Sequence, residues 1–185
     1  MLILASSSPR RRDLLLQAGV RFDVLPAEID ESLRPHESAT EYVERLALEK
    51  ARALHQEHPN ATILGADTTV VLDNRILNKP ADLADAERML YSLSSRAHQV
   101  HTGIAVVTPT GRRTHVETTN VFFLPIPDDE LIHYLSTRDS LDKAGAYGIQ
   151  GYAARWIHRI EGDFFNVMGL PIAATIRLLR EAKAL

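Results

Sequence analysis

The chain has 185 residues, 45% of them apolar, with 24 acidic and 21 basic side chains, a formal charge of −3 and no cysteine. That excludes disulfide frameworks and thiolate metal sites, and a charge so near zero argues against broad nucleic-acid or anionic-membrane binding. A chain of this size buries roughly two-thirds of its unfolded surface, enough for one or two compact lobes without staples.

In chain order, Leu2 to Ala5 reads as a short buried strand, and Ser8-Pro9 supplies the cap and first turn of a helix to about Ala18, ended by Gly19. The opening apolar run is too short, and too early relative to its arginines, for a secretory signal, and no stretch approaches the ~20 apolar residues of a membrane span. A soluble, cytoplasmic protein is the expectation. Phe22 to Leu25 reads as a second strand. Ser38-Ala39-Thr40-Glu41 matches a capping box and starts a long helix to about Glu57, with Val43, Leu46, Ala47 and Leu54 on one face.

Ala61 to Val71 is rich in β-branched residues and resumes at Arg75-Ile76-Leu77 after Asp73-Asn74, which predicts a hairpin. Asp82 to Ser92 has helix composition. Two further β runs, Gln99 to Thr108 and Arg113 to Phe123, flank a turn at Pro109-Thr110-Gly111, and Asp128 to Thr137 reads as an amphipathic helix. The Gly-rich stretch Ala144 to Gly151 leads to a strand at Arg155 to Ile160, and Pro171 opens a closing helix expected to bury Ile172, Ile176 and Leu179. Strands and helices interleave with no linker or repeat, so residues 1–185 read as a single mixed α/β domain. Neither a G-x-G-x-x-G fingerprint nor a Walker A loop is present.

Three segments carry chemistry. Ser6-Ser7-Ser8-Pro9-Arg10-Arg11-Arg12 brings hydroxyls and guanidinium groups to a strand-to-helix junction, where free N–H groups and the helix dipole favour an anion; a capped helix with a solvated basic turn is the plainer alternative. Gly65-Ala66-Asp67-Thr68 puts a carboxylate inside an apolar β segment, which is costly unless the group is paired or metal-bound. Asp67 is therefore a candidate metal ligand or general base, or a turn aspartate held by backbone N–H groups. Asp30-Glu31 could add oxygen ligands for a hard cation, and Lys50 and Lys79 could neutralise phosphate. In Asp142 to Gly151, three glycines beside Lys143, Tyr147 and Gln150 mark a backbone held close to something, and Gln150 offers both a donor and an acceptor to a base edge. The eight histidines form no metal-ligand pattern, and Trp156 reads as core.

Taken together, Leu4-Ala5-Ser6-Ser7-Ser8-Pro9-Arg10-Arg11, Glu49-Lys50-Ala51, Gly65-Ala66-Asp67-Thr68, Lys79-Pro80, Asp142 to Gly151 and Val167-Met168-Gly169-Leu170-Pro171 resemble the Maf family of nucleoside triphosphate pyrophosphatases, in order and over essentially the whole chain. The resemblance implies a fold similar to that of inosine triphosphate pyrophosphatase, with an elongated mixed sheet, helices on its flanks, and two lobes around a cleft. It implies hydrolysis of a nucleoside triphosphate to the monophosphate and pyrophosphate with Mg²⁺ or Mn²⁺, in a homodimer. Residue by residue, Asp67 matches the proton acceptor, and Ser6, Arg10, Arg11, Lys50 and Lys79 match phosphate-handling positions. Glu31 falls where the family has an acidic residue, giving Glu31 and Asp67 as the expected metal ligands. Arg10, Thr68 and Gln150 match the subgroup acting on dTTP and UTP, and Lys143 lies in the glycine-rich substrate segment. Action on 7-methyl-GTP or another modified nucleotide, or a nucleotide-bound regulator of septum formation, is the alternative. Where relatives often have Leu-Ser-Gly-Arg, this chain has Leu93-Ser94-Ser95-Arg96.

Overall fold

A computed structural model describes all 185 residues. Its elements are β1 (Leu2–Ala5), α1 (Pro9–Gln17), β2 (Asp23–Val24), α2 (Ala39–Glu57), β3 (Thr62–Leu72), β4 (Arg75–Leu77), α3 (Leu83–Leu93), β5 (Ala97–Thr108), β6 (Gly111–Phe123), α4 (Asp128–Ser136), β7 (Ile157–Glu161), α5 (Phe164–Met168) and α6 (Ile172–Glu181), with short 3₁₀ turns at Ala144–Ala146 and Tyr152–Trp156. One seven-stranded sheet runs in the order β2-β1-β3-β5-β6-β7, with β4 paired to β3. β1 is parallel to β2 and β3, whereas the β3–β4 and β6–β7 pairs are antiparallel. No helix is long and apolar enough to cross a membrane.

Local chemistry explains most boundaries. Ser8 accepts from the Arg11 amide at the start of α1, and Ser38 and Glu41 close a reciprocal capping box at the start of α2. Asp82 caps α3. Asp73 and Asn74 take φ of 49° and 61° in the β3–β4 turn, the left-handed pair that a two-residue hairpin needs. One expectation fails. In α6 the buried residues are Ala174, Thr175, Leu178 and Leu179, while Ile172 and Ile176 are half-buried; the Thr175 hydroxyl donates to the Pro171 carbonyl, which lets a polar residue sit on the buried face. The short helix α5 starts just after Asp163, whose side chain accepts the Phe165 amide at 2.8 Å.

The chain forms two compact units. Unit 1 comprises residues 1–68, 102–117 and 169–185, and unit 2 comprises residues 69–101 and 118–168. In unit 1, Ala47, Ala51 and Leu54 of α2 pack with Ile3, Ile63 and Ala105 of the sheet. Gly65 and Gly103 permit that approach. A Cβ at Gly65 would lie 2.1 Å from the Ala47 carbonyl oxygen, and one at Gly103 would lie 2.3 Å from that of Val43. In unit 2, Leu90, Leu93, Val121, Phe123, Tyr134, Tyr147 and Trp156 form a separate core, so Trp156 is core as its context suggests.

Candidate active site

Asp67 and Lys50 meet in unit 1 because β3 carries the carboxylate inward and the small face of α2 lets the helix lie close to the strand. Lys50 Nζ is 2.7 Å from Asp67 Oδ1 and 2.6 Å from Glu31 Oε1. Lys50 and Asp67 are each 8% exposed, so this ion pair forms in a region of low dielectric where neither charge could stand alone. Burial pushes the Asp67 carboxyl above its ordinary pKa of 3.8, against the opposing pull of Lys50 and Arg11. A carboxylate raised in this way is a better base than an exposed aspartate.

Arg11 holds the adjoining corner. Its Nε donates to the Gly169 carbonyl at 2.8 Å, Nη1 to Ser6 Oγ at 3.2 Å and Nη2 to Thr68 Oγ1 at 3.0 Å. Burial lowers its pKa, while Asp67 and Glu31 work in the opposite direction. Thr68 Oγ1 also lies 2.9 Å from Thr102 Oγ1, a hydroxyl on β5 that is completely buried. Gly169 has φ of 113°, which favours glycine, so the Val167 to Pro171 motif serves to present a carbonyl to Arg11.

The basic stretch therefore divides by role. Arg11 turns inward, Arg10 is half-buried, and Arg12 is exposed and paired with Asp13 at 3.2 Å. The acidic pair divides too: Asp30 accepts from the Ser32 amide at 2.9 Å as a loop aspartate, and only Glu31 joins the cluster.

A model of the Maf family, described as "Maf-like protein", matches residues 1–182. The chain belongs to the Maf family. Within the family it is 48% identical over 184 residues to a protein of Koribacter versatilis named dTTP/UTP pyrophosphatase, covering 100% of this chain and 95% of that one. It is 51% identical over 180 residues to a Symbiobacterium thermophilum protein of the same name, covering 97% and 93%. Among solved structures, the Staphylococcus aureus Ham1 protein aligns with a TM-score of 0.49 and 15% identity over 66% of this chain and 71% of that one.

Seven of the residues expected from the Maf resemblance, Ser6, Arg10, Arg11, Glu31, Lys50, Asp67 and Thr68, belong to unit 1; Lys79, Lys143 and Gln150 belong to unit 2. Lys79 is exposed in the bend after β4, and its neighbour Asn78 accepts the Gly145 amide at 3.2 Å, tying that bend to the glycine-rich segment. Gln150 is exposed on the turn. Lys143 is 8% exposed and donates to the Asp139 carbonyl at 2.5 Å and to Asp139 Oδ1 and Asp142 Oδ1 at 2.7 Å each. All three of its N–H donors thus meet internal acceptors, which makes it a strut of this loop. The glycines are needed by the protein itself: a Cβ at Gly145 would lie 2.8 Å from Val70 Cγ2, and one at Gly148 would lie 2.9 Å from Lys143 Cε. Sequence reasoning missed Thr102 and the carbonyl of Gly169. The glycine inside the Val-Met-Gly-Leu-Pro string was the signal available for the last.

Proposed function

We propose that this member of the Maf family hydrolyses dTTP and UTP to the monophosphate and pyrophosphate, by attack of water on the α-phosphorus. The single observation that carries the reading is the buried Asp67 carboxylate, held 2.7 Å from Lys50 and flanked by Arg11. A module that only bound a triphosphate would need the cations and would gain nothing from a buried carboxylate opposing the anion. Relatives such as those of Koribacter versatilis and Symbiobacterium thermophilum, alike over nearly the full chain, support the choice of reaction and of pyrimidine substrates.

In this mechanism Asp67 accepts the proton of the attacking water, and Lys50 keeps the carboxylate ionised by pairing with it. Arg11 and Arg10 stabilise the charge that grows as pyrophosphate leaves, a strategy of positioning and electrostatics. Glu31 and Asp67 already converge on a single cation, the Lys50 ammonium, at 2.6 and 2.7 Å. That pair fits Mg²⁺ or Mn²⁺, which proteins commonly hold through one or two carboxylates together with water and substrate phosphate oxygens. When bound there, the metal supplies charge neutralisation to the phosphates. Lys79 is assigned to phosphate, and Gln150, with a donor and an acceptor on one amide, to the imide edge of uracil or thymine.

The test is a panel of UTP, dTTP, CTP, GTP and 7-methyl-GTP with Mg²⁺ or Mn²⁺, read as phosphate released after added inorganic pyrophosphatase. dTTP and UTP should dominate. A dominant purine rate would refute the pyrimidine assignment, and binding without turnover would point to a nucleotide-bound regulator.

A further inference from the structure

Glu31 lies in a loop with no helix or strand of its own and is itself exposed, yet its carboxylate is directed onto Lys50 Nζ at 2.6 Å. Two side chains of α2 hold the backbone that aims it. Tyr42 Oη donates to the Glu31 carbonyl at 2.9 Å, and Arg45 Nη2 donates to the Ser32 carbonyl at 3.0 Å. Arg45 is in turn immobilised. Its Nε and Nη2 grip the two carboxylate oxygens of Glu37 at 2.5 and 2.7 Å, its Nη1 reaches Glu49 Oε2 at 3.2 Å, and its guanidinium lies 5.6 Å from the centre of the Tyr42 ring. Such a bidentate grip fixes direction as well as contact. The same helix carries Lys50, so one rigid element sets both the ammonium and the loop that brings Glu31 to it.

We infer that Tyr42 and Arg45 are positioning residues that act through Glu31, holding residues 31 and 32 so that the Glu31 carboxylate stays against Lys50 beside Asp67. The inference rests on the pyrophosphatase reading for its kinetic consequence, and on geometry alone for the holding itself.

Two mild variants test it in the full chain. Tyr42→Phe removes one oxygen and keeps the buried ring; Arg45→Lys keeps the charge and cannot span Glu37 and Ser32 together. Misplacing a catalytic group by an ångström costs up to about 100-fold, so each variant should lower kcat for dTTP by about 10- to 100-fold while changing KM by no more than about twofold. In a Glu31→Gln background neither substitution should lower kcat further, because the group they position is gone. Amide hydrogen exchange should accelerate at residues 30–34 in Tyr42→Phe and at residues 30–38 in Arg45→Lys, whose Glu37 contacts are also lost, and stay unchanged in the sheet. Losses that persist undiminished in the Glu31→Gln background would show a structural role and overturn the inference, as would unchanged exchange in that segment. Should the unmodified chain not hydrolyse dTTP, the pyrophosphatase reading falls, and the exchange result decides the positioning alone.

Discussion

The Lys50 ammonium lies 2.7 Å from Asp67 Oδ1, with both side chains buried on neighbouring elements of unit 1. Each charge makes the other tolerable. A general base contributes about 10²–10⁴-fold, so Asp67→Asn should lower dTTP turnover by that factor. A variant retaining near unmodified rates would remove Asp67 from the mechanism. In metal-free protein, ¹³C NMR should find the Asp67 carboxyl titrating above 3.8, since burial is the dominant influence. Lys50→Met removes the cation that opposes burial, so the Asp67 midpoint should rise further; a fall would contradict the pairing.

The contact between α2 and β3 that makes this pair depends on Gly65. Overpacking typically costs about 1–3 kcal/mol. The obstacle here is backbone, the Ala47 carbonyl at 2.1 Å from an added Cβ, which places Gly65→Ala at the upper end of that range. Thermal unfolding should move down by about 5–10 °C, given about 2–4 °C per kcal/mol for chains of this size. Activity should fall as well, because the helix that carries Lys50 is displaced from the strand that carries Asp67. An alanine variant with unchanged melting would mean that the close approach is not maintained in solution.

Acid sensitivity should come partly from unit 2. His98 is buried against Tyr147, with Nε2 2.7 Å from the phenol oxygen, and burial drops its pKa from 6.5 to about 3. The unfolded chain binds that proton near 6.5 and the folded chain does not. The stabilising contribution is therefore complete above pH 6.5 and is lost as pH falls towards 3, at up to about 1.4 kcal/mol per pH unit. Denaturant titrations from pH 7 to pH 4 should give a steeper loss for the unmodified chain than for His98→Phe. Parallel curves would show that His98 carries no such term.

The turn after α3 offers a stabilising substitution. Ser95 has φ of 60° immediately beyond the Ser94 C-cap, a position where glycine avoids a left-handed penalty of about 1–2 kcal/mol and loses somewhat less in chain entropy. Ser95→Gly should raise the melting temperature by about 1–3 °C. A lower melting temperature would mean that Ser95 has favourable contacts outweighing its backbone conformation.

What the sequence disclosed follows from range of interaction. The Ser38–Glu41 capping box and the Asp73-Asn74 hairpin are local devices, legible from neighbouring residues and present as expected, whereas Asp82, read as the first residue of a helix, is its cap. The face of α6 was misjudged because a hydrogen bond from Thr175 back to Pro171 lets a polar residue turn inward, which apolar periodicity cannot register. Asp67 stands out as a charge within an apolar strand, while the family motifs name Lys50 and Arg11 for phosphate and Glu31 for metal, not as partners of Asp67. That Lys50 joins Glu31 to Asp67 depends on a helix packed on a strand and a loop folded over both, so no local pattern announces it. The glycines of residues 145–151 mark a backbone held close to something, and at Gly145 and Gly148 the close neighbours are Val70 and Lys143. Of the lysines singled out, Lys50 and Lys143 are buried and ion-paired, while Lys79 is exposed.

The central claim is hydrolysis at the α-phosphorus driven by the Asp67 and Lys50 pair, and its most direct measurement is ³¹P NMR of dTTP turnover in ¹⁸O-labelled water. Incorporation of the label into the thymidine monophosphate, with unlabelled pyrophosphate as the other product, is the predicted result. Label in pyrophosphate, or products consisting of thymidine diphosphate and orthophosphate, would contradict it.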